Sequence, residues 1–182
     1  MPHDHCHSAQ DFDGASTSYR RALIALIALN AGLFVVEMTA GALAGSRALQ
    51  ADALDFAADA ATYGLSLAVI GRPLATRARA AQLKGISLAL MGFAVLAVAI
   101  WDMLGPEVPR AEVMGAVGFA ALAANVASVL ILMRWKDGDS NVRSVWLCSR
   151  NDAIGNVAVM IAALGVWGTA TGWPDLIVAG IM

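Results

Sequence analysis

Runs of about twenty apolar residues, one after another, limit what this 182-residue chain can fold into. Hydrocarbon offers no water to backbone amides, so such a run must satisfy its own hydrogen bonds as a helix. At ~1.5 Å per residue, ~20 residues cross a ~30 Å core. The runs fall at about 22–44, 50–71, 83–104, 111–133 and 144–170, and a sixth opens at Trp173. Only about ten residues of the sixth precede Met182, too few to cross a bilayer. The chain is 59% hydrophobic and 14% charged, against about 25% charged in soluble domains. The run after Arg21 is longer than the apolar part of a signal peptide and reads as a retained first helix. The expected fold is an all-α membrane protein: a six-transmembrane-helix bundle whose sixth helix is truncated in this chain.

Basic residues fix the orientation. Arg20 and Arg21 precede the first run. Arg72, Arg77, Arg79 and Lys84 fall between the second and third, and Arg134, Lys136 and Arg143 between the fourth and fifth. The opposite connections hold Arg47 and Arg110 alone. This bias places the N-terminus in the cytoplasm. Residues 1–19 read as a flexible cytoplasmic tail carrying His3, His5 and His7, a tract able to chelate metal weakly. Pro73 ends the second helix, and Gly105-Pro-Glu-Val-Pro109 is an external turn. Small residues in the fourth run, among them Gly115, Gly118 and Ala121, allow close helix approach. The two cysteines, Cys6 and Cys148, are too far apart and too differently placed to suggest a disulfide framework. No basic block points to nucleic acid, and no phosphate-binding loop points to an ATP-driven pump.

Four polar residues break the apolar pattern in a way that suggests chemistry. Asp55 and Asp59 lie one helical turn apart in the second run; Cys148 and Asp152 repeat that spacing in the fifth. A carboxylate inside a membrane is costly and marks a functional site by default. Three oxygen donors and a sulfur, from two helices, suit a divalent transition metal. Asp52 shares the Asp55/Asp59 face but lies nearest the outer end, where it reads as an interfacial carboxylate. Depth is harder to read. Counted from Arg72, Asp59 is ~20 Å from the inner boundary; counted from Arg143, Cys148 is ~8 Å from it. Spacing alone therefore leaves the two pairs ~12 Å apart in depth, for tilt or projection beyond the bilayer to absorb. Arg150 reads as pairing with a carboxylate such as Glu37, or snorkelling to the interface. Asn30 and Glu37 share one face of the first helix and point to a wet interior path, whereas Asn125 reads as an interhelical hydrogen-bonding residue.

These residues resemble the cation diffusion facilitator family of divalent-metal transporters. The match runs through Asn30, Glu37 and Gly41, then Ser46-Arg-Ala-Leu-Gln-Ala-Asp-Ala-Leu-Asp55 and Asp59. It resumes at Ser144, Cys148, Asp152-Ala-Ile-Gly-Asn156 and Trp173-Pro-Asp175. The resemblance implies six helices, cytoplasmic termini and a tetrahedral metal site at Asp55, Asp59, Cys148 and Asp152. Cys148 stands where the family has His, which softens the site. The family's C-terminal cytoplasmic domain, which supports dimerisation, does not follow the sixth run. The resemblance implies efflux of a divalent cation, Zn²⁺ ahead of Cd²⁺, Co²⁺ or Fe²⁺, from the cytoplasm across a bacterial inner or plasma membrane. Protons are the counter-ion, because carboxyl and thiol ligands must lose protons to bind metal. The implied partners are the metal, protons, the lipid bilayer and, where the family dimerises, a second copy. No tightly bound cofactor, no nucleic acid and no enzymatic reaction is expected. Two other readings stay open: a proton-coupled exporter of small organic cations, and a non-transporting membrane metal sensor or accessory protein.

Overall fold

A computed structural model describes residues 14–102 and 108–182, with the backbone alone at 77, 81, 88, 92, 95, 99 and 102 of the third helix. It is all helical. Helix α1 spans Thr17–Ala44, α2 Arg47–Ala68, α3 Leu74–Asp102, α4 Ala111–Leu132, α5 Ser140–Thr169 and α6 Trp173–Ile181. A 3-10 turn, Met133–Trp135, extends α4. Helices α1, α3, α4 and α5 are long and apolar enough to cross a membrane. Helix α2 has the same 22 residues as α4, a length of ~33 Å, but its aspartates dilute its hydropathy. Helix α6 has nine residues, a length of ~13 Å. The chain is a multi-pass membrane protein.

The side chains are sorted for lipid. Large apolar residues such as Val35, Phe93, Phe119, Leu164 and Trp167 face outward, the last three-quarters exposed, while Asn30, Glu37, Asp59, Asn125 and Asn156 are buried. A water-soluble bundle has the opposite arrangement, because its stability comes from hiding apolar surface. In lipid the interior is free to hold what hydrocarbon rejects. Two apolar clusters bracket those polar residues. One packs Ala48, Leu49, Met114, Val159, Val166 and Val178 towards the α1–α2 turn. The other packs Tyr19, Leu23, Tyr63, Leu132, Val142 and Val145 at the basic end.

Local chemistry sets the joints. Between α1 and α2 stand only Gly45 and Ser46. Gly45 takes the left-handed conformation (φ 72°) and closes α1 onto the Gly41 carbonyl, as glycine does without steric cost. Ser46 then caps α2, its hydroxyl accepting from the Leu49 amide at 3.1 Å. One turn before Gly45, Gly41 faces the α2 backbone so closely that a Cβ would sit 3.1 Å from Gln50 N. On the fourth helix Gly118 meets Val159 of α5 in a similar approach, whereas Gly115 faces open space. Asp139 caps α5, accepting from Val142 N at 2.9 Å. That cap starts α5 at Ser140, four residues ahead of the start read from hydropathy.

The third helix departs most from the hydropathy reading. It begins at Leu74, directly after Pro73, and not near residue 83. Pro cannot continue α2, but nothing stops the alanine- and arginine-rich stretch behind it from being helical at once. Lys84 therefore is not a connection residue: it lies within α3 and is only 3% exposed. The external turn falls mostly outside the described residues, and His3, His5 and His7 fall wholly outside them. The last residues of the stretch read as a tail, 17–19, are the first turn of α1, where Tyr19 is buried.

Helix α6 is held by charge. The Asp175 carboxylate accepts from Ser46 Oγ (2.6 Å), Arg47 N (2.7 Å) and Ala48 N (3.2 Å). A carboxylate on the first amides of a helix satisfies donors that have no intrahelical partner, and it meets the positive end of the helix dipole. Gly165 of α5 makes room, since a Cβ there would lie 2.8 Å from Pro174.

Candidate metal site

Helices α2 and α5 run antiparallel, and their register fixes the site. Asn141 Nδ2 donates to the Ser66 carbonyl at 3.4 Å, so these residues are level. Seven residues along each helix, ~10 Å towards the opposite end, come Asp59 and Cys148. The depth mismatch counted from the flanking arginines does not exist in the fold. Arg72 and Arg143 do not mark one plane, because α2 already ends at Ala68 while α5 starts at Ser140.

Asp59 is the hub. Only 2% exposed, it lies within side-chain hydrogen-bonding reach of Asp152 and Cys148 across the helix pair, and of Tyr63 on its own helix. The Tyr63 hydroxyl donates to Asp59 Oδ2 and also pairs with Ser149 Oγ at 2.7 Å. Asp55 is half-buried one turn away and acts on Asp59 and Asp152 through space rather than by a hydrogen bond. Asp152 and Cys148 are also half-buried; Asn156 donates to the Asp152 carbonyl at 2.8 Å. Among the described residues, no three His, Cys, Asp or Glu side chains are grouped closely enough to form a ready ion cage. Chemically the group offers anionic oxygen and sulfur from two helices in an interior shielded by apolar clusters. That is a setting for a cation able to shed its water.

Around this hub the interior is rich in acceptors. Asn30 donates to Leu26 O at 2.8 Å, leaving its Oδ1 without a partner among the described residues. Both Glu37 oxygens, Asp52 Oδ2 and Asn156 Oδ1 are buried in the same condition. Asp52 is 1% exposed, so it is not the interfacial carboxylate its place near the helix end suggests. The close approach at Gly41 brings α1 against α2 and sets Asp52 beside Glu37, with no hydrogen bond between them. Arg150 does not pair with Glu37: it faces outward, its guanidinium 5.4 Å from the Trp146 ring. Asn125 is buried, with its Nδ2 unpartnered among the described residues.

Tyr63, Ser149, Ser66, Asn141 and Lys84 were not singled out by the sequence. Tyr63 carried a usable signal, one turn beyond Asp59 on the Asp55/Asp59 face. The rest depend on register between helices distant in sequence.

Residues 23–73 match the cation efflux transmembrane domain family. The chain is also similar to two curated proteins, the zinc transporter ZitB of Escherichia coli (strain K12) and that of Shigella flexneri. Each is 30% identical over 187 aligned residues, which take in 95% of this chain and 58% of the relative. The chain thus spans little more than half the length of these relatives.

Proposed function

We propose that the chain is a member of the cation diffusion facilitator family and carries a divalent transition-metal cation across the membrane between α2 and α5. The observation that carries this reading is the meeting of Asp59 with Asp152 and Cys148 inside the bundle. Asp55, Asp59, Cys148 and Asp152 are the proposed ligands. Asp55 joins when the ion draws the two helices together. Carboxylate oxygen with one thiolate favours borderline ions, so Zn²⁺, Cd²⁺, Co²⁺ and Fe²⁺ are the candidates. Zn²⁺ is tested first because both relatives are named as zinc transporters.

Coupling follows from the ligands. Carboxyl and thiol groups shed protons when metal binds and take them up when it leaves. One site exposed alternately to each face exchanges metal for protons without a nucleotide. The basic end of the bundle is the cytoplasmic end by the positive-inside rule, so export is the proposed direction.

The test is calorimetric titration of Zn²⁺ into the purified protein, in two buffers of different ionisation heat. Binding should release protons and should be lost in Asp59→Ala and Asp152→Ala. Equal binding in wild type and both variants would remove these residues from the ligand set.

A further inference from the structure

We propose that Lys84 is a tethered cation that closes the cytoplasmic approach to the Asp59–Cys148–Asp152 group. The proposal rests on the reading of that group as the transport site. Lys84 reaches from α3 into the seam between α2 and α5. Its Nζ donates to Ser66 Oγ (2.5 Å), Asn141 Oδ1 (3.0 Å) and Ser144 Oγ (2.8 Å). An ammonium has three donors and no acceptor, and here each donor has a neutral oxygen to meet. The acceptors are themselves tied: Ser144 Oγ donates to Asn141 O at 2.7 Å, and Asn141 Nδ2 to Ser66 O. Three helices are thus stitched through one nitrogen.

Its place gives the stitch a meaning. Ser66 is seven residues from Asp59 and Asn141 seven from Cys148, so Lys84 binds ~10 Å from the site on the basic-end side. A metal ion moving between α2 and α5 from that end must part these bonds and pass a positive charge. Asp59, Cys148 and Asp139 are the ionisable groups that act on Lys84 through space. The ammonium therefore offsets part of the negative charge of these groups. A purely structural role is a poor explanation, because an apolar side chain would hold the seam without burying a charge. An ionisable group inside the membrane points to function.

Cys148 reports directly on the approach. The chain has two cysteines, so Cys6→Ser leaves Cys148 alone. In that background, a membrane-impermeant methanethiosulfonate reagent is applied to inside-out and to right-side-out vesicles. Taking the ratio of the two labelling rates cancels any change in the intrinsic reactivity of the thiol. In Lys84→Met the cytoplasmic-side rate should rise about tenfold over the outside rate, as expected for losing hydrogen bonds to a charged donor. Ser66→Ala with Ser144→Ala, which keeps the lysine and perturbs the packing little, should shift the ratio the same way by a smaller factor. An unchanged ratio in both variants overturns the proposal. So does equal acceleration from both faces, which would mean general loosening. Labelling needs no metal and no flux, so failure of the transport reading would show separately, as Zn²⁺ binding indifferent to Asp59→Ala.

Discussion

Asp59 owes its importance to the groups around it. Tyr63 donates to it from one turn away and ties the same hydroxyl to Ser149, so the carboxylate is held facing α5. Removing that hydroxyl with Tyr63→Phe should weaken Zn²⁺ binding about three- to tenfold, the worth of one hydrogen bond. The melting temperature should fall as well, because Asp59 Oδ2 and Ser149 Oγ are left buried without that partner; binding titrations and melting curves on the same preparations check both. In the proposed ligand set Cys148 is the soft donor. Cys148→His exchanges a soft thiolate for a neutral imidazole, so Cd²⁺ affinity should fall relative to Zn²⁺ in competition titrations. An unchanged Cd²⁺/Zn²⁺ ratio would place the thiol outside the coordination sphere. At this scale the Asp55/Asp59 and Cys148/Asp152 spacings were legible, since a helix puts residues four apart on one face. The burial of Asp52 against Glu37 was not, because it depends on how closely α1 approaches at Gly41.

Among the elements, the α2–α5 pair positions the proposed site and Asp175 docks α6 onto the start of α2. Hydropathy located the helices, because run length is a local property. It did not locate the register, which rests on bonds between residues far apart in sequence, such as Asn141 with Ser66 and Lys84 with Ser144. Lys84 shows the limit plainly. A lysine near an arginine-rich connection reads as a loop cation, yet a helix that starts at Leu74 swings it into the seam. The dock of α6 was equally hidden, since no local pattern says that Asp175 will sit on the first amides of α2. Asp175→Ala would leave the buried Ser46 hydroxyl and two backbone N–H groups without their acceptor. The expected cost is about 1–3 kcal/mol, and amide exchange should quicken first in α6 and the first turn of α2. Uniform exchange across the bundle would contradict this local role.

Across the whole molecule, the inversion of exposure unites fold and function. Apolar residues face the lipid, and the interior can hold acids, amides and a lysine that no hydrocarbon would accept. Two apolar clusters hold the bundle towards its ends, with the buried polar groups between them. The central claim is that Asp59 and Asp152 form one metal site whose protons are the exchanged ions. Zn²⁺ uptake into proteoliposomes under an imposed proton gradient tests it most directly. Wild type should take up Zn²⁺ only with the gradient, export protons in step, and slow as the pH on the metal side falls and protons compete for the ligands. Asp59→Ala and Asp152→Ala should each abolish that flux. Gradient-driven uptake that persists in either variant would contradict the account.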